Sequence, residues 1–473
     1  MADSSLLAAL SAVLAGRGAA GWLVGGSVRD RELGRFSPDL DVVTAADPRE
    51  VAQEVAARAG RPWFTLSREW GAYRVVGEQG HLDIAGLRGG SLEADLALRD
   101  FTVNAMALPL GSGGLVDPFG GRRHLQEGRL VAVSPRIFAD DPLRLLRGAR
   151  LAHTLGFTVD PGLADLARVE AWRLPQAAAE RILSEVILTF AAGRSAAAVG
   201  LWADLGLLEP LFPEVTALRG VGQSAFHHLD VYGHTLETME HLDDILAEPD
   251  RFFAASGELL RVRLAEPVDG AMPRPVALRL AALLHDVAKP QTRTVDENGR
   301  ILFWGHSVLG GKVAGAVCAR LRCSSAAAGL IRKVAEEHLR VGFLQHDERL
   351  SGRAVVAYLW ATAPWEPEVL MVSVADRLAT RGPRTEAAFI SRHLQTARAV
   401  MDLWPRRQEE GVARPPVGGD DLMAALDLRP GPPLGELLRE VTLAWEAGEI
   451  TDREQALALA RRLRAGSEQP RGE

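Results

Sequence analysis

Two aspartates, Asp39 and Asp41, alternate around Leu40 in the run PDLDVV. On a β-strand that alternation puts both carboxylates on one face. A same-face pair of this kind can hold two Mg²⁺ ions, which grip a triphosphate and lower the pKa of an attacking hydroxyl. Leu40, Val42 and Val43 show a strand otherwise built for a core, which argues against a merely polar face. Just upstream, an apolar strand runs into Gly25 and Gly26 and then into a helix carrying Arg29. Glycines let the backbone approach a phosphate, and a helix N-terminus points amide groups at it. Asp83, in HLDIAGL, supplies a third acidic group on a neighbouring strand.

A different set of chemical groups lies downstream: His234, the adjacent pair His285 and Asp286, His306, His338 and Asp376. The His-Asp pair sits inside the apolar run LRLAALLHDVAKP, where burial without a partner is costly and a divalent metal supplies one. Mixed imidazole and carboxylate ligands suit a transition metal such as Ni²⁺, Mn²⁺, Co²⁺ or Fe²⁺ better than Mg²⁺ alone. Such a metal would activate a bound water.

Positioning two such sites needs more than one core, and 473 residues suffice for two to four domains. Residues 1–134 mix short β-type runs with helices and predict an α+β head. Residues 135–220 turn helical and form a neck, residues 221–400 a second helical block with a hairpin at RTVDENGRILFWGH, residues 401–420 a linker, and residues 421–473 a small helical tail. In that tail TDRE, from Thr451, reads as a capping box. The aromatic neighbours FHHLDVY and LFWGH are expected to pack the second block rather than stack on bases.

Net charge is −7, so any nucleic-acid contact must come from local arginine clusters such as RLLRGAR. The two cysteines, Cys318 and Cys323, exclude a disulfide framework and point to a reducing cytoplasm. Their spacing on one helix is expected to turn the thiols apart. The first residues lack a basic segment ahead of an apolar one and read as an amphipathic helix, and no run of 18 apolar residues occurs, so no membrane span is expected.

The glycine turn, Asp39 and Asp41, RDFTVNAMAL, DPLRLLRGAR, LVDPFGGRRHLQEGRL and LGLLEPLFPEV resemble, in order, the class II tRNA nucleotidyltransferase and poly(A) polymerase family. The resemblance covers roughly the first 215 residues. It implies an enzyme of nucleotidyl transfer acting on a tRNA 3′ end with CTP, ATP or both, in which Gly25, Gly26 and Arg29 hold the triphosphate. Asp39 and Asp41 would carry Mg²⁺, with Asp83 as accessory, while Arg99, Asp100 and Asn104 line the ribose and phosphates. Asp141 and Arg144, three apart and expected on one helix face, would read the base together: a carboxylate accepts from the exocyclic amine of cytosine or adenine, and a guanidinium donates to the ring acceptors beside it. Arg147 and Arg150 extend that row.

This chain departs from the family pattern at Asp140, where Glu is usual, and at Leu98, where an arginine is usual. It also passes almost directly from HLDIAGLRGG into SLEADLALRDFT. Many members that add the full CCA carry a longer segment there, so the short one resembles enzymes that add only two cytidines. A poly(A) polymerase is the alternative reading of the head.

From about residue 225 to 395 the histidines and aspartates resemble the HD phosphohydrolase superfamily. That resemblance implies one metal on His234, His285, Asp286 and Asp376, flanking or second-metal roles for His306 and His338, a phosphate contact for Lys289, and attack of metal-activated water on a phosphomonoester or a 2′,3′-cyclic phosphate. A phosphohydrolase whose head only binds nucleotide or RNA is the rival reading. The tail resembles that of nucleotidyltransferases that carry this hydrolase domain and fits contact with a tRNA body.

Overall fold

Six strands form a mixed sheet near the N-terminus: β1 (Gly21–Val24), β2 (Leu40–Thr44), β3 (Trp63–Ser67), β4 (Ala72–Val76), β5 (His81–Gly86) and β6 (Ala107–Pro109). Their order is β3-β4-β5-β2-β1-β6. Only β2 and β5 are parallel; every other neighbour is antiparallel. The parallel pair needs a crossover, and the helix Pro48–Ala59 lies within it. Its sequence signals are local. Asp47 accepts from the Arg49 and Glu50 amides, Pro48 opens the helix, and Gly60 closes it in the left-handed conformation. Val51, Ala52, Val55 and Ala56 form its buried face.

This computed structural model describes residues 4–344, 350–410 and 414–467. The chain divides into two compact units: residues 1–192 with 197–211, and residues 193–196 with 212–473. The first unit holds the sheet, the N-terminal helix Ser4–Arg17 (α1), helix α2 (Gly26–Glu32), helix α3 (Pro48–Ala59), helix α4 (Leu92–Ala97) and later helices that include α5 (Arg144–Leu155) and α6 (Ala179–Ala191). Buried Leu6, Leu10, Val13 and Leu14 confirm α1 as a helix with an apolar face.

The second unit is almost wholly helical. Helices α7 (Val231–Ala247), α8 (Arg274–Leu284), α9 (His306–Arg320), α10 (Ser325–Glu337) and α11 (Glu366–Ala379) surround one polar centre. Every residue of α8 from Val276 to Leu284 is buried. The expected hairpin is present, with Ile301–Phe303 antiparallel to Arg293–Val295. Near the C-terminus, helices Gly419–Leu426, Pro432–Glu446 and Arg453–Ser467 share a small core of their own.

Three local expectations need correction. The stretch read as a linker is helical as far as Glu410, because Ala397, Val400, Met401 and Trp404 recur at helical spacing and are buried. Residues 411–413 of that stretch lie outside the described residues. The two cysteines meet rather than diverge. Helix α9 ends at Arg320, the chain turns back through a left-handed Arg322, and the Cys323 amide donates to the Cys318 carbonyl (2.9 Å). The final helix is capped by Asp452, not Thr451: the Gln455 amide donates to the Asp452 carboxylate. Among the described residues no helix is long and apolar enough to cross a membrane.

Candidate active sites

In the first unit, Ser27 fixes the geometry of the acidic strand. Its buried hydroxyl accepts from the Asp41 amide (2.9 Å) and donates to the Asp39 carbonyl (3.2 Å), tying the start of β2 to the first turn of α2. Gly25 caps that turn at φ 69°. A Cβ there would lie 3.2 Å from Asp41 Oδ2 and 3.0 Å from Arg99 Nη1, so the position needs glycine for space as well as backbone conformation. The Asp41 carboxylate therefore faces the glycine turn.

A cavity of about 190 Å³ opens at this point, lined by Gly25, Gly26, Asp41, Arg99, Asp100, Asn104, Asp141, Arg144 and Arg147, and also by Arg88. Sequence reasoning missed Arg88. Its signal was Asp95, an acidic residue on an amphipathic turn: Asp95 is 1% exposed and accepts from both Arg88 Nε (2.8 Å) and Arg99 Nη2 (3.0 Å). Burial disfavours its charge, yet the two guanidinium groups outweigh that and hold its pKa below the ordinary value. For Asp41 the balance runs the other way. Asp41 is solvent-exposed at the cavity, yet partial desolvation by the surrounding protein and the neighbouring Asp83 charge raise its pKa, against Arg99 and Arg147. A carboxylate in that position fits a bound cation, which would relieve both penalties.

The remaining candidates sit around this cavity rather than on it. Asp39 pairs with His81 Nδ1 at 2.7 Å, and the same imidazole approaches Asp83 at 3.6 Å, so both carboxylates lie on one side of the sheet. Asp83 stands opposite Asp41 in the β2–β5 register but is held at two points by Arg74, each 2.7 Å. Arg29 donates to Asn104 Oδ1 (2.8 Å) and pairs with Asp30. Arg150 turns away, to Glu185 on α6 at 2.6 Å, and does not line the cavity.

Asp141 and Arg144 do not share a helix face as their spacing implied. The helix holding Arg144 starts at that residue, and Asp141 precedes it in an extended conformation, accepting from the Leu143 amide. Asp141 also pairs with Arg181 (2.8 Å), while Arg144 donates to the Leu98 carbonyl.

In the second unit, five helices deliver six ligand-type residues to one buried centre. His234 lies in the first turn of α7, His285 and Asp286 at the end of α8, His306 at the start of α9, His338 just past α10, and Asp376 near the end of α11. Asp286 is central: its Oδ2 lies 3.1 Å from His285 Nε2 and 3.7 Å from His234 Nε2, its Oδ1 3.4 Å from His306 Nε2 and 3.7 Å from His338 Nε2. His234 Nε2 meets Asp376 Oδ1 at 2.9 Å. Two groups of possible ligands result, His234 with His285 and Asp376, and Asp286 with His306 and His338.

The outward nitrogens are as informative as the inward ones. His285, His306 and His338 each use Nδ1 on a backbone carbonyl, of Ala282, Phe303 and Ala335 respectively. That fixes each ring and leaves Nε2 buried, aimed inward and without a hydrogen-bond partner. Three orphaned imidazole nitrogens around a carboxylate fit a metal centre. Burial, and then His285, push His338 down to about 4, which keeps it neutral for ligation. Burial opposes the charge on Asp286, but Lys289 and the imidazoles hold its pKa well below the carboxylate range. Lys289 Nζ lies 2.6 Å from Asp286 and donates to Gln223 Oε1. Sequence reasoning also missed His227, whose ring packs edge-on against His234.

Known proteins are similar to this chain over nearly its whole length. An A-adding tRNA nucleotidyltransferase of Deinococcus radiodurans is 34% identical over 448 residues, covering 93% of this chain and 94% of that protein. The chain belongs to the class II tRNA nucleotidyltransferase family. A CC-adding tRNA nucleotidyltransferase of Thermus thermophilus is likewise 34% identical, covering 94% of each. Residues 21–131 match the Poly A polymerase head domain, residues 156–218 the probable RNA and SrmB-binding site of polymerase A, and residues 231–381 the HD domain. Among solved structures, a Thermotoga maritima CCA-adding enzyme complexed with tRNA superposes with a TM-score of 0.61 at 19% identity, covering 98% of each chain. This tRNA nucleotidyltransferase of the CC/A-adding kind thus has the α+β head, the helical segments and the HD domain of its relatives.

Proposed function

We propose that this tRNA nucleotidyltransferase adds cytidines, and stops after two, at a tRNA 3′ end in the cytoplasm. The observation carrying the reading is the connection between β5 and α4. Residues 87–91 alone join them, and Arg88 within that connection is bonded to buried Asp95 on α4 by both its amide and its side chain. A segment so short and so pinned leaves no slack to reposition the base-reading residues for a final adenosine.

In this reading Asp39 and Asp41 hold Mg²⁺, which when bound neutralises the triphosphate and acidifies the attacking hydroxyl. The Gly25–Gly26 turn and the α2 N-terminus take the phosphates. Arg99 and Arg147 balance charge beside Asp41, and the Asp100–Asn104–Arg29 chain of hydrogen bonds orders the ribose side. Asp141 accepts from the cytosine amine and Arg144 donates to its ring; each must first leave its present partner, Arg181 or the Leu98 carbonyl. Asp83 keeps an accessory, electrostatic part. Arg150 supports α5 through Glu185.

The HD centre is read as a phosphohydrolase acting on phosphomonoesters or 2′,3′-cyclic phosphates. His234, His285, Asp286 and Asp376 would hold one transition-metal ion, and His306 and His338 would flank it or hold a second. Such ions supply an activated water. Lys289, already beside Asp286, is placed to meet substrate phosphate.

The test is incorporation into tRNA lacking its 3′ end, with labelled CTP and ATP offered singly and together. Two cytidines and no adenosine support the reading; full CCA or an adenosine tract refutes it. Loss of phosphatase activity in His285→Ala with incorporation intact tests the second site.

A further inference from the structure

Above the HD centre the second unit opens a cavity of about 830 Å³, large enough for a nucleotide rather than a phosphate group alone. Its floor is polar, with Asp286, His306, His338 and Asp376, and Lys289 and Arg377 beside them. Its rim is apolar and open to water. Trp304 is 78% exposed, Phe343 67%, and Phe226 and Val308 are also exposed. The expectation that the aromatics of LFWGH and FHHLDVY pack the domain therefore fails for Trp304 and Phe226.

Trp304 is no loose surface residue. It lies between the end of the hairpin strand Ile301–Phe303 and helix α9, and Gly305, at φ 76°, turns the chain so that the next residue, His306, starts the helix and points into the centre. The backbone that sets a ligand also sets the indole at the rim. Phe303, on the same strand, places its ring 5.3 Å from Lys289 Nζ. An indole left in water, two residues from a metal-type ligand and above a polar floor that includes Lys289 and Arg377, matches a compound with a flat ring and a phosphate.

We propose that Trp304 is the base-stacking, specificity-determining residue of the HD site, receiving the 3′-terminal nucleoside of an RNA whose phosphate lies toward Lys289. This rests on the phosphohydrolase reading for the reaction, but the stacking itself does not.

The test compares two short RNAs ending in a 3′-phosphate, one with a cytosine on the last residue and one abasic there, using the full chain with Mn²⁺. Wild type should show a KM about tenfold lower for the cytosine RNA, the size of one stacked base. Trp304→Ala should erase that difference through KM, with kcat and cytidine incorporation at the head unchanged; Trp304→Phe should keep most of it. Independently, cytidine 3′-phosphate should quench the fluorescence of wild type but not of Trp304→Ala. Equal KM for both RNAs in wild type, an equal effect of Trp304→Ala on both, or absence of Trp304-dependent quenching overturns the proposal. If neither RNA is hydrolysed while the quenching persists, the phosphohydrolase reading falls and the stacking role stands.

Discussion

Asp83 stands directly opposite Asp41 across the parallel β2–β5 pair, and Arg74 from β4 holds its carboxylate at two points, each 2.7 Å. The two acids share a sheet face but not an environment. One is spent on a guanidinium; the other faces the glycine turn. Asp83→Asn should therefore lower cytidine incorporation by no more than about tenfold, whereas Asp41→Ala should lower it by a thousandfold or more, because only the second removes a metal-type ligand. Comparable losses in single-turnover assays would contradict this division.

Asp95 ties Arg88 and Arg99 together behind the cavity while itself buried. Asp95→Asn leaves two guanidinium groups without their shared partner and should cost about 3 kcal/mol in urea unfolding of the first unit. Since its pKa is lowered by folding, its contribution is present above the ordinary carboxyl pKa and is lost as pH falls through the lower folded value. Acid unfolding of wild type should thus show a component below pH 3.8 that the variant lacks.

His393 gives a second pH dependence, in the other unit. It is buried near Ser373, and burial, and then Arg377, push its pKa down from 6.5 to about 3. A histidine held neutral by folding is protonated more readily when unfolded. Its contribution is whole above pH 6.5 and is lost as pH falls toward 3, at up to about 1.4 kcal/mol per pH unit. Urea midpoints of the second unit should fall less steeply over that range in His393→Gln than in wild type.

The orphaned Nε2 atoms of His285, His306 and His338 predict that a divalent transition metal stabilises the second unit. Saturation at a hundredfold over Kd should add about 2.7 kcal/mol, read as a rise in Tm that a chelator reverses. His285→Ala should lose most of that rise. A Tm indifferent to Mn²⁺, Ni²⁺ and chelator would contradict the metal centre.

Much of this was legible from sequence because the signals are local. The alternation of Asp39 and Asp41, the glycine turn, and His-Asp at the end of an apolar helix each announce a site within a few residues. What escaped was set by long-range pairing. Arg88 enters the cavity only because Asp95 is buried beneath it, Arg74 reaches Asp83 across strands, and Arg150 is diverted to Glu185 on another helix. Spacing alone put Asp141 and Arg144 on one helix face, but the helix begins only at Arg144. Composition read residues 401–420 as linker, although the helix continues to Glu410 and Ala397, Val400, Met401 and Trp404 on it are buried.

In the proposed reading the Arg88–Asp95 connection confines the head to cytidine. The most direct measurement is the length and base of the tract added to a tRNA that ends just before CCA, with CTP and ATP supplied together. A product two cytidines longer that accepts nothing further is expected; a product carrying a terminal adenosine would overturn the restriction to cytidine.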